Sequence, residues 1–357
     1  MSFFHYILID FLFLPFIVIL PVLLATAFFT LAERKLMASI QRRTGPGIVG
    51  FWGVLQPIAD GLKLLTKEGL IPSTSLKIFW HLSPFASLLC CFMGWFVINF
   101  NLTSLGSTLN YGVIFIFLWA SLNVYWIFLA GWFTRSHYSV LGSLRGISQL
   151  ISYELLLGLL IQPICFLSGS LNVDYIIQAQ FLSSWFCFFL LPCACFYFIC
   201  LLAETNRIPF DLLEAEAELV GGYYTEFGSF WFASFFLSEY GNMLLGCSLY
   251  VSLFFGGGYV YSINLNQNNI FFDIFYDGVF VLKILFFIFL LIYLRANLPR
   301  YRFDHIMLIG WKVILPILLS LVYTLFGFLL LFESYNIIQM PMLNCKYLYI
   351  FTNSSVF

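Results

Sequence analysis

The sequence predicts an all-α integral membrane protein with eight transmembrane helices and an amphipathic interfacial helix in the first basic connection. Only 9% of the residues are charged, whereas a soluble domain carries about 25%, and 62% are hydrophobic. Eight segments also have the roughly 20 mostly apolar residues that a spanning helix needs. With a net charge of −1 the chain has no field that would attract nucleic acid, so binding of such polymers is excluded.

The predicted spans are joined by connections that alternate in charge. Their bounds are 7–31, 78–100, 112–133, 144–168, 181–203, 235–257, 274–296 and 310–333. The odd-numbered connections and their edges hold 14 of the 16 basic residues, and the even-numbered ones, 101–111, 169–180 and 258–273, hold none. Because Lys and Arg accumulate on the cytoplasmic or matrix side, both termini are expected on the opposite side. We expect residues 1–335 to form one membrane domain and residues 336–357 a short extramembrane tail.

The first basic connection contains a helical pattern. Its apolar stripe consists of Val54, Leu55, Ile58, Leu62 and Leu65, and the opposite stripe carries amide, carboxylate and lysine side chains. An ordinary surface helix would need a soluble domain to pack against, and the eight spans leave none of useful size. The pattern therefore favours a helix that lies at the membrane interface.

No cofactor or metal motif is evident in the sequence. Residues 45–50 match the dinucleotide pattern G-x-G-x-x-G, but no predicted strand precedes them and Pro46 lacks an N–H that could bind phosphate. We interpret them as a tight turn after the first helix. The nine cysteines and four histidines show no metal-ligand spacing, so no metal is expected.

One acidic segment concentrates the candidate chemistry. Residues 203–219 place five carboxylates and Arg207, their expected counter-charge, within 17 residues of an apolar chain. Carboxylates beside hydrocarbon are costly and are usually retained for proton, ion or ligand handling. The alternative is a solvated acidic loop, which the interleaved Leu, Phe and Ala residues make less favourable.

The proline in this segment predicts a break in the backbone. Pro209 disfavours helix at Ile208, and a new helix is expected to start at the proline itself. On that helix Asp211, Glu214 and Glu218 would share a stripe.

Further carboxylates lie inside the spans. Glu154 has no basic neighbour at helical spacing in the fourth span, so it is a candidate proton carrier; the alternative is a neutral acid hydrogen-bonded to another helix. Glu226 and Glu239 extend the acidic series into the sixth span.

Three other charged residues leave alternatives open. Glu33 and Arg34, at the end of the first span, could form an ion pair that lines a cavity or anchor the helix end at the headgroups. Lys283, in the seventh span, needs a partner in this chain or in a neighbouring subunit.

Several sequence blocks together resemble the NADH–quinone oxidoreductase chain 1 family, the membrane subunits of respiratory complex I. The blocks are 31–35 (L-A-E-R-K), 41–46, 55–63, 152–154 (S-Y-E), 203–211 (A-E-T-N-R-I-P-F-D), 214–219, 239–242 and 295–304. They occur in the family's order, and the block at 203–211 is highly specific.

The resemblance implies a subunit of proton-pumping NADH:ubiquinone oxidoreductase that is not catalytic in isolation. It would form the membrane-side wall of the quinone tunnel and begin an acidic proton-coupling path. Ubiquinone would be the substrate, while NADH, FMN and the iron–sulfur clusters belong to partner subunits. The implied partners are the hydrophilic subunits at the quinone site and the small membrane subunits of the proximal pump module.

The resemblance also implies roles for individual residues. The quinone-tunnel residues would be Glu33, Arg34, Arg43, Asp60, Arg207 and Phe210. The proton-coupling residues would be Glu154, Glu204, Asp211, Glu214, Glu216, Glu218 and Glu239. The residues that contact the peripheral arm would be Arg300, Arg302 and Asp304.

The implied location is the mitochondrial inner membrane, or the plasma membrane of a bacterium. The 45 phenylalanines beside few alanines suit AT-rich coding in an organellar genome. Two alternatives stay open: the equivalent subunit of a membrane-bound hydrogenase or another quinone-linked dehydrogenase, and a stand-alone proton or ion transporter.

Overall fold

The computed structural model describes residues 2–98, 109–213, 220–259 and 270–334, and it is all-helical within these ranges. The helices are α1 (Ser2–Ile40), α2 (Gln56–Thr66), α3 (Lys77–Trp95), α4 (Gly112–Thr134), α5 (His137–Ser168), α6 (Val173–Leu182), α7 (Phe186–Phe189), α8 (Leu191–Glu204), α9 (Ser229–Phe254), α10 (Ile270–Asn297), α11 (Phe303–Leu308) and α12 (Leu315–Ser334). Short 3₁₀ turns lie at Phe51–Gly53 and Gly222–Tyr224, and a π turn at Ile309–Ile314 joins α11 to α12.

Five helical stretches in the described part of the chain are long and apolar enough to cross a membrane. They are Lys77–Trp95, Gly112–Thr134, His137–Ser168, Ile274–Asn297 and Phe303–Phe328. Helix α9 is long enough but carries Glu239, Asn242 and several serines, which lower its mean hydropathy. The fold is therefore that of an integral membrane protein, and the count of eight spans stays a prediction.

The expectation of one continuous helix over 181–203 is wrong. The chain forms α6, α7 and α8 instead, with non-helical backbone at Ser183 (φ −108°, ψ −92°) and Leu190 (φ −112°, ψ 38°). Pro192 explains the second break, because its ring would clash with the preceding turn, whereas the first turn of a new helix accepts proline. Gln180 stabilises the break by donating to a backbone carbonyl of α9 at 2.9 Å and accepting from a backbone N–H of α7 at 3.3 Å.

Helix α9 lies at the centre of the bundle. It packs against α1, α3, α8 and α10, and it is buried around almost its whole circumference from Tyr240 to Phe254. Helix α5 packs against α4, α8 and α12. A helix that is enclosed on every side can carry polar groups towards its neighbours rather than towards lipid, and α9 does so with Tyr240 and Glu239.

The backbone breaks after α8, as Pro209 predicts, but no new helix starts there. Residues 209–213 are irregular, so the helical stripe proposed to begin at Asp211 is not formed within the described residues. Tertiary partners hold this backbone instead of a helical ladder. The N–H of Tyr301 donates to the carbonyl of Pro209 at 3.1 Å, and the side-chain amide of Gln149 donates to the carbonyl of Phe210 at 2.8 Å.

Some expectations fall on residues outside the described ranges. These are the carboxylates Glu214, Glu216 and Glu218 and the tail 336–357.

The predicted amphipathic helix exists as α2. None of its residues is buried, and its apolar side chains Ile58, Leu62 and Leu65 are more than half exposed. It packs against α1 and α9 through its remaining surface. Its position at the membrane interface stays a prediction.

Candidate functional site

Four segments meet at the carboxylate of Glu33, near the end of α1. Arg207, from the loop after α8, places Nη1 3.4 Å from Oε1, and Arg295, near the end of α10, pairs with the same oxygen. Tyr240 of α9 donates its hydroxyl to Oε2 at 2.6 Å. Glu33 and Arg207 are only 6% and 8% exposed. One buried carboxylate thus faces two guanidinium groups; we name these four residues the Glu33 cluster.

The position and charge of Glu33 follow from its helix and its partners. Helix α1 has 39 residues and is about 58 Å long at 1.5 Å per residue, which exceeds the roughly 30 Å of a bilayer core. The helix therefore continues past the predicted span 7–31, and Glu33 lies in this extension. Burial raises the pKa of Glu33, but Arg207, Arg295 and the hydrogen bond from Tyr240 outweigh it, so the net shift is below the ordinary value. The cluster therefore holds one negative and two positive charges at neutral pH.

The expected alternative of a Glu33–Arg34 ion pair is wrong. Adjacent residues on a helix point in different directions, so the two side chains do not face each other. Arg34 instead pairs with Asp60 of α2, with Nη1 2.6 Å from Oδ2, and Gln56 donates to the other oxygen of Asp60 at 3.0 Å. This pair is exposed and ties α2 to α1.

A second polar site is a cavity of about 70 Å³ between α3, α4, α5, α8 and α9. Three half-buried carboxylates line it: Glu154, Glu204 and Glu239. Ser121 of α4 donates its hydroxyl to Glu154 at 2.5 Å, and Tyr223 donates to Glu239 at 3.5 Å. Three acids that are far apart in the sequence therefore face one enclosed space, which we name the acidic cavity.

The lining of the acidic cavity suits water. Asn123 Oδ1 and Trp119 Nε1 are buried there, and neither has a hydrogen-bond partner among the described residues. Buried polar atoms are usually satisfied, if not by protein then by ordered water. A polar cavity of this volume accommodates about two water molecules.

The two sites are joined by a single stretch of chain. Glu204 lines the acidic cavity, as do Thr205 and Asn206, and the next residue, Arg207, reaches Glu33. Gln149 of α5 holds this stretch by donating to the backbone of α8 and of the following loop, at 2.8 Å in each case. Only Thr205 and Asn206 therefore separate Glu204 of the acidic cavity from Arg207 of the Glu33 cluster along the chain.

The other residues that were expected to line the quinone tunnel lie in different surroundings. Phe210 is buried, with its ring centroid 5.7 Å from that of Tyr153 and 5.9 Å from that of Tyr301. Arg43 is exposed, and its Nε donates to Gln41 at 2.8 Å rather than to the Glu33 cluster.

The expected peripheral-arm residues lie beyond the end of α10. Arg302 pairs with Asp304 at 3.2 Å, and both side chains are exposed; Arg300 is half-buried. Asp211 is also half-buried, on the irregular backbone before the end of the described segment.

Sequence reasoning missed several groups that complete the sites. They are Ser121, Tyr223, Tyr240 and Arg295 as side-chain partners, Asn123 as a polar group of the cavity lining, and Gln149 as the support of the connecting stretch. The polarity of Ser121, Asn123 and Gln149 inside apolar spans could have pointed to these three residues, and Tyr240 and Arg295 fall in the family-like blocks 239–242 and 295–304. Tyr223, between two spans, carries no such signal. Within the described ranges, no group of three or more His, Cys, Asp or Glu side chains could hold a metal ion.

The fold and the two sites define an integral membrane protein with a buried ion cluster joined to an acidic, water-compatible cavity. The model of the NADH dehydrogenase family matches residues 14–326. The chain therefore belongs to the NADH dehydrogenase family.

Individual relatives agree with this assignment. The chain is 47% identical over 316 residues to NADH-ubiquinone oxidoreductase chain 1 of Chondrus crispus, covering 88% of this chain and 95% of that protein. It is 46% identical over 316 residues to the protein of the same name from Arabidopsis thaliana, covering 88% and 96%. It is 45% identical over 312 residues to an NADH-quinone oxidoreductase subunit from Rickettsia typhi, covering 87% and 89%.

Proposed function

We propose that this chain is a core membrane subunit of a proton-pumping NADH:quinone oxidoreductase, where it forms the quinone-tunnel wall and begins the proton-coupling path. The observation that carries the proposal is the acidic cavity, which is joined by one short stretch of chain to the buried Glu33 cluster. The names of the relatives supply the reaction. NADH, FMN and the iron–sulfur clusters belong to partner subunits in this proposal, and ubiquinone is the substrate.

The tunnel wall needs an apolar surface beside a positive charge. Tyr301, which is 40% exposed and whose ring centroid lies 5.9 Å from that of the buried Phe210, offers an aromatic face for a quinone ring. The guanidinium groups of Arg207 and Arg295 lie at the Glu33 cluster, and positive charge there stabilises negative charge that arises nearby when quinone is reduced. Arg34, Asp60 and the exposed Arg43 line the approach along α2.

The proton-coupling step uses the carboxylates of the acidic cavity. Glu154, Glu204 and Glu239 face one small volume, so they exchange protons as a group and no single one is the relay. A charge that forms beside Arg207 alters the field at Glu204 three residues away, and a proton moves between the cavity carboxylates in response. The acids Asp211, Glu214, Glu216 and Glu218 continue the same path.

The arrangement in the membrane completes the proposal. The chain has eight spans in one domain, 1–335, with α2 at the interface and the tail 336–357 outside the membrane. The basic connections face the matrix or cytoplasm, and Arg300, Arg302 and Asp304 contact the peripheral arm there. The membrane is the mitochondrial inner membrane or a bacterial plasma membrane. Five span-competent helices and the segregation of basic residues support this topology.

Native separation after mild detergent extraction tests the subunit assignment. We expect the chain in a very large complex whose band reduces quinone with NADH in an inhibitor-sensitive way. Migration alone or as a small oligomer would contradict the assignment and favour a stand-alone transporter, for which ion flux into liposomes is the next assay.

Glu204→Gln in the assembled complex tests the coupling role. Glutamine keeps the size and polarity of the side chain but cannot release a proton, so we expect proton translocation with quinone reduction to fall about tenfold or more. Glu68→Gln is the matched control, because Glu68 is exposed after α2 and does not line the cavity. Wild-type translocation in the Glu204 variant would remove this residue from the path.

A further inference from the structure

A groove of about 600 Å³ lies where α4, α5 and the segment before α3 meet, and it shares no lining residue with the acidic cavity. Its walls are mostly apolar, and two wall residues, Trp132 and Leu141, are 54% and 50% exposed. Its polar lining is Arg135, Ser136 and His137, in the connection from α4 to α5. Among the residues that the structure describes, no carboxylate lines this groove.

The polar end of the groove carries groups that can bind an anion. Arg135 follows α4 in the left-handed conformation (φ 55°) with an exposed side chain, and α5 begins two residues later at His137. No side chain caps the first turn of the 32-residue α5, so its leading N–H groups are available at this end. The hydroxyl oxygen of Ser136 is also buried there without a partner in the described ranges. A guanidinium, an imidazole, a hydroxyl and a helix N-terminus therefore belong to this end of the groove.

The apolar end continues along the outside of the bundle. Trp132 lies about half a turn before the end of α4, and Leu141 about one turn into α5. The third wall is fixed by a hydrogen bond from the N–H of Leu76 to the carbonyl of Phe133, at 3.3 Å, and by stacking of Phe79 on Phe133, with centroids 4.6 Å apart. An exposed Trp at a helix end is typical of the membrane–water boundary. The groove thus suits an amphiphile with a negative head and an apolar tail.

We propose that this groove binds one anionic phospholipid, with the phosphate at Arg135, His137 and the start of α5 and an acyl chain against Trp132 and Leu141. Charge complementarity selects this occupant, because a cationic end with no lining carboxylate favours a net negative headgroup over a zwitterionic one. Basic pockets between transmembrane helices on the matrix or cytoplasmic side are known to take such headgroups. This site is separate from the quinone site and from the proton path.

The test compares bound lipid in the purified complex carrying Arg135→Gln with His137→Gln and in the wild type. Arg42→Gln is the matched control, because Arg42 is an exposed arginine with the same φ of 55° that does not line the groove. Lipid is extracted after detergent washing and counted per complex by mass spectrometry. We expect the double variant to lose about one anionic phospholipid that the wild type and the control retain, and to bind added spin-labelled phosphatidylglycerol at least about fivefold more weakly.

Three results would overturn the proposal. The first is equal lipid content in the wild type and the double variant. The second is a wild-type groove that cross-links to a neighbouring subunit and retains no lipid. The third is displacement of the labelled lipid by excess inorganic phosphate, which would indicate a site for free anions. Because the readout is lipid rather than quinone reduction, it is independent of the proposed function.

Discussion

Glu33 pairs with two arginines that come from distant parts of the sequence, and its removal takes this carboxylate from both. We expect Glu33→Gln to destabilise the protein by about 3–5 kcal/mol, because breaking a buried ion pair leaves a desolvated charge. The measurement is the midpoint temperature at which the assembled complex dissociates, and native separation detects the dissociation.

The control for this variant is the exposed ion pair between Arg34 of α1 and Asp60 of α2. Asp60→Asn removes the partner of Arg34, whose side chain is 53% exposed, so a cost of about 1 kcal/mol or less is expected. Equal losses in the Glu33 and Asp60 variants would mean that burial of the Glu33 cluster has no energetic consequence.

The Glu33 cluster also predicts a pH dependence. The pKa of Glu33 is lowered on folding, so its contribution is complete above the ordinary value of about 4.5 and is lost as the pH falls through the folded pKa. Wild-type thermal stability should therefore decline more steeply below about pH 4.5 than that of Glu33→Gln. Parallel stability curves for the two proteins across this pH window would contradict the charge assignment.

At the scale of helices, Lys283 of α10 closes the C-terminal end of α9. Its Nζ donates to the carbonyls of Phe255, Gly257 and Tyr259 at 2.8, 2.7 and 3.0 Å, and it lies 4.6 Å from the ring centroid of Trp185. The partner that the sequence required is therefore the backbone of this same chain. A cation at this position also interacts favourably with the negative end of the α9 dipole.

Lys283→Met tests this contact between helices. Methionine keeps an unbranched apolar stem but leaves three carbonyls without their donor, so we expect a loss of about 2–5 kcal/mol that is local to the end of α9. Hydrogen exchange of residues 250–259 should accelerate, while Lys63→Met on the exposed α2 should leave it unchanged. Unchanged exchange in the Lys283 variant would contradict the capping role.

Gly142 of α5 lies at the contact with the turn that carries Tyr223, and Gly158 of the same helix is its control outside that contact. A Cβ at Gly142 would lie 2.8 Å from the Cα of Gly222, whereas a Cβ at Gly158 meets nothing within 4 Å. We expect Gly142→Ala to cost about 1–3 kcal/mol and to move the Tyr223 hydroxyl away from Glu239. Gly158→Ala should be neutral or stabilising by up to about 1 kcal/mol.

The measurements for this pair are thermal stability and proton translocation of the complex. A proton-translocation loss in Gly142→Ala but not in Gly158→Ala is the expected pattern. Equal stability and equal proton translocation in the two variants would mean that the turn at Gly222 shifts without disturbing the acidic cavity.

At the scale of the whole molecule, large apolar side chains lie on the surface and some charged side chains lie inside, whereas soluble proteins expose most of their charged side chains. Leu282 and Phe286 of α10 are 66% and 60% exposed and suit contact with hydrocarbon, whereas Glu33 and Arg207 are enclosed. The bundle hides charge because lipid cannot solvate it. The functional proposals follow from this arrangement, since enclosed charges interact strongly across short distances.

The sequence by itself determined the membrane class, the helical content, the amphipathic α2, the backbone break at Ile208 and the family. These properties depend on composition, local periodicity and specific motifs, all of which can be read along the chain. Hydropathy did not show the interruption of 181–203, because an apolar run has the same hydropathy whether or not it bends. Only Pro192 marks one of the two breaks in the sequence.

Only the tertiary structure decided which charges meet. Helical period shows which residues share one face of one helix, but it does not show which helices are neighbours. Glu33 therefore pairs with Arg295 rather than with Arg34. Glu154, Glu204 and Glu239 line one cavity for the same reason. Packing around α9 brings these distant residues together, because desolvated charges and polar groups need partners that only neighbouring helices supply.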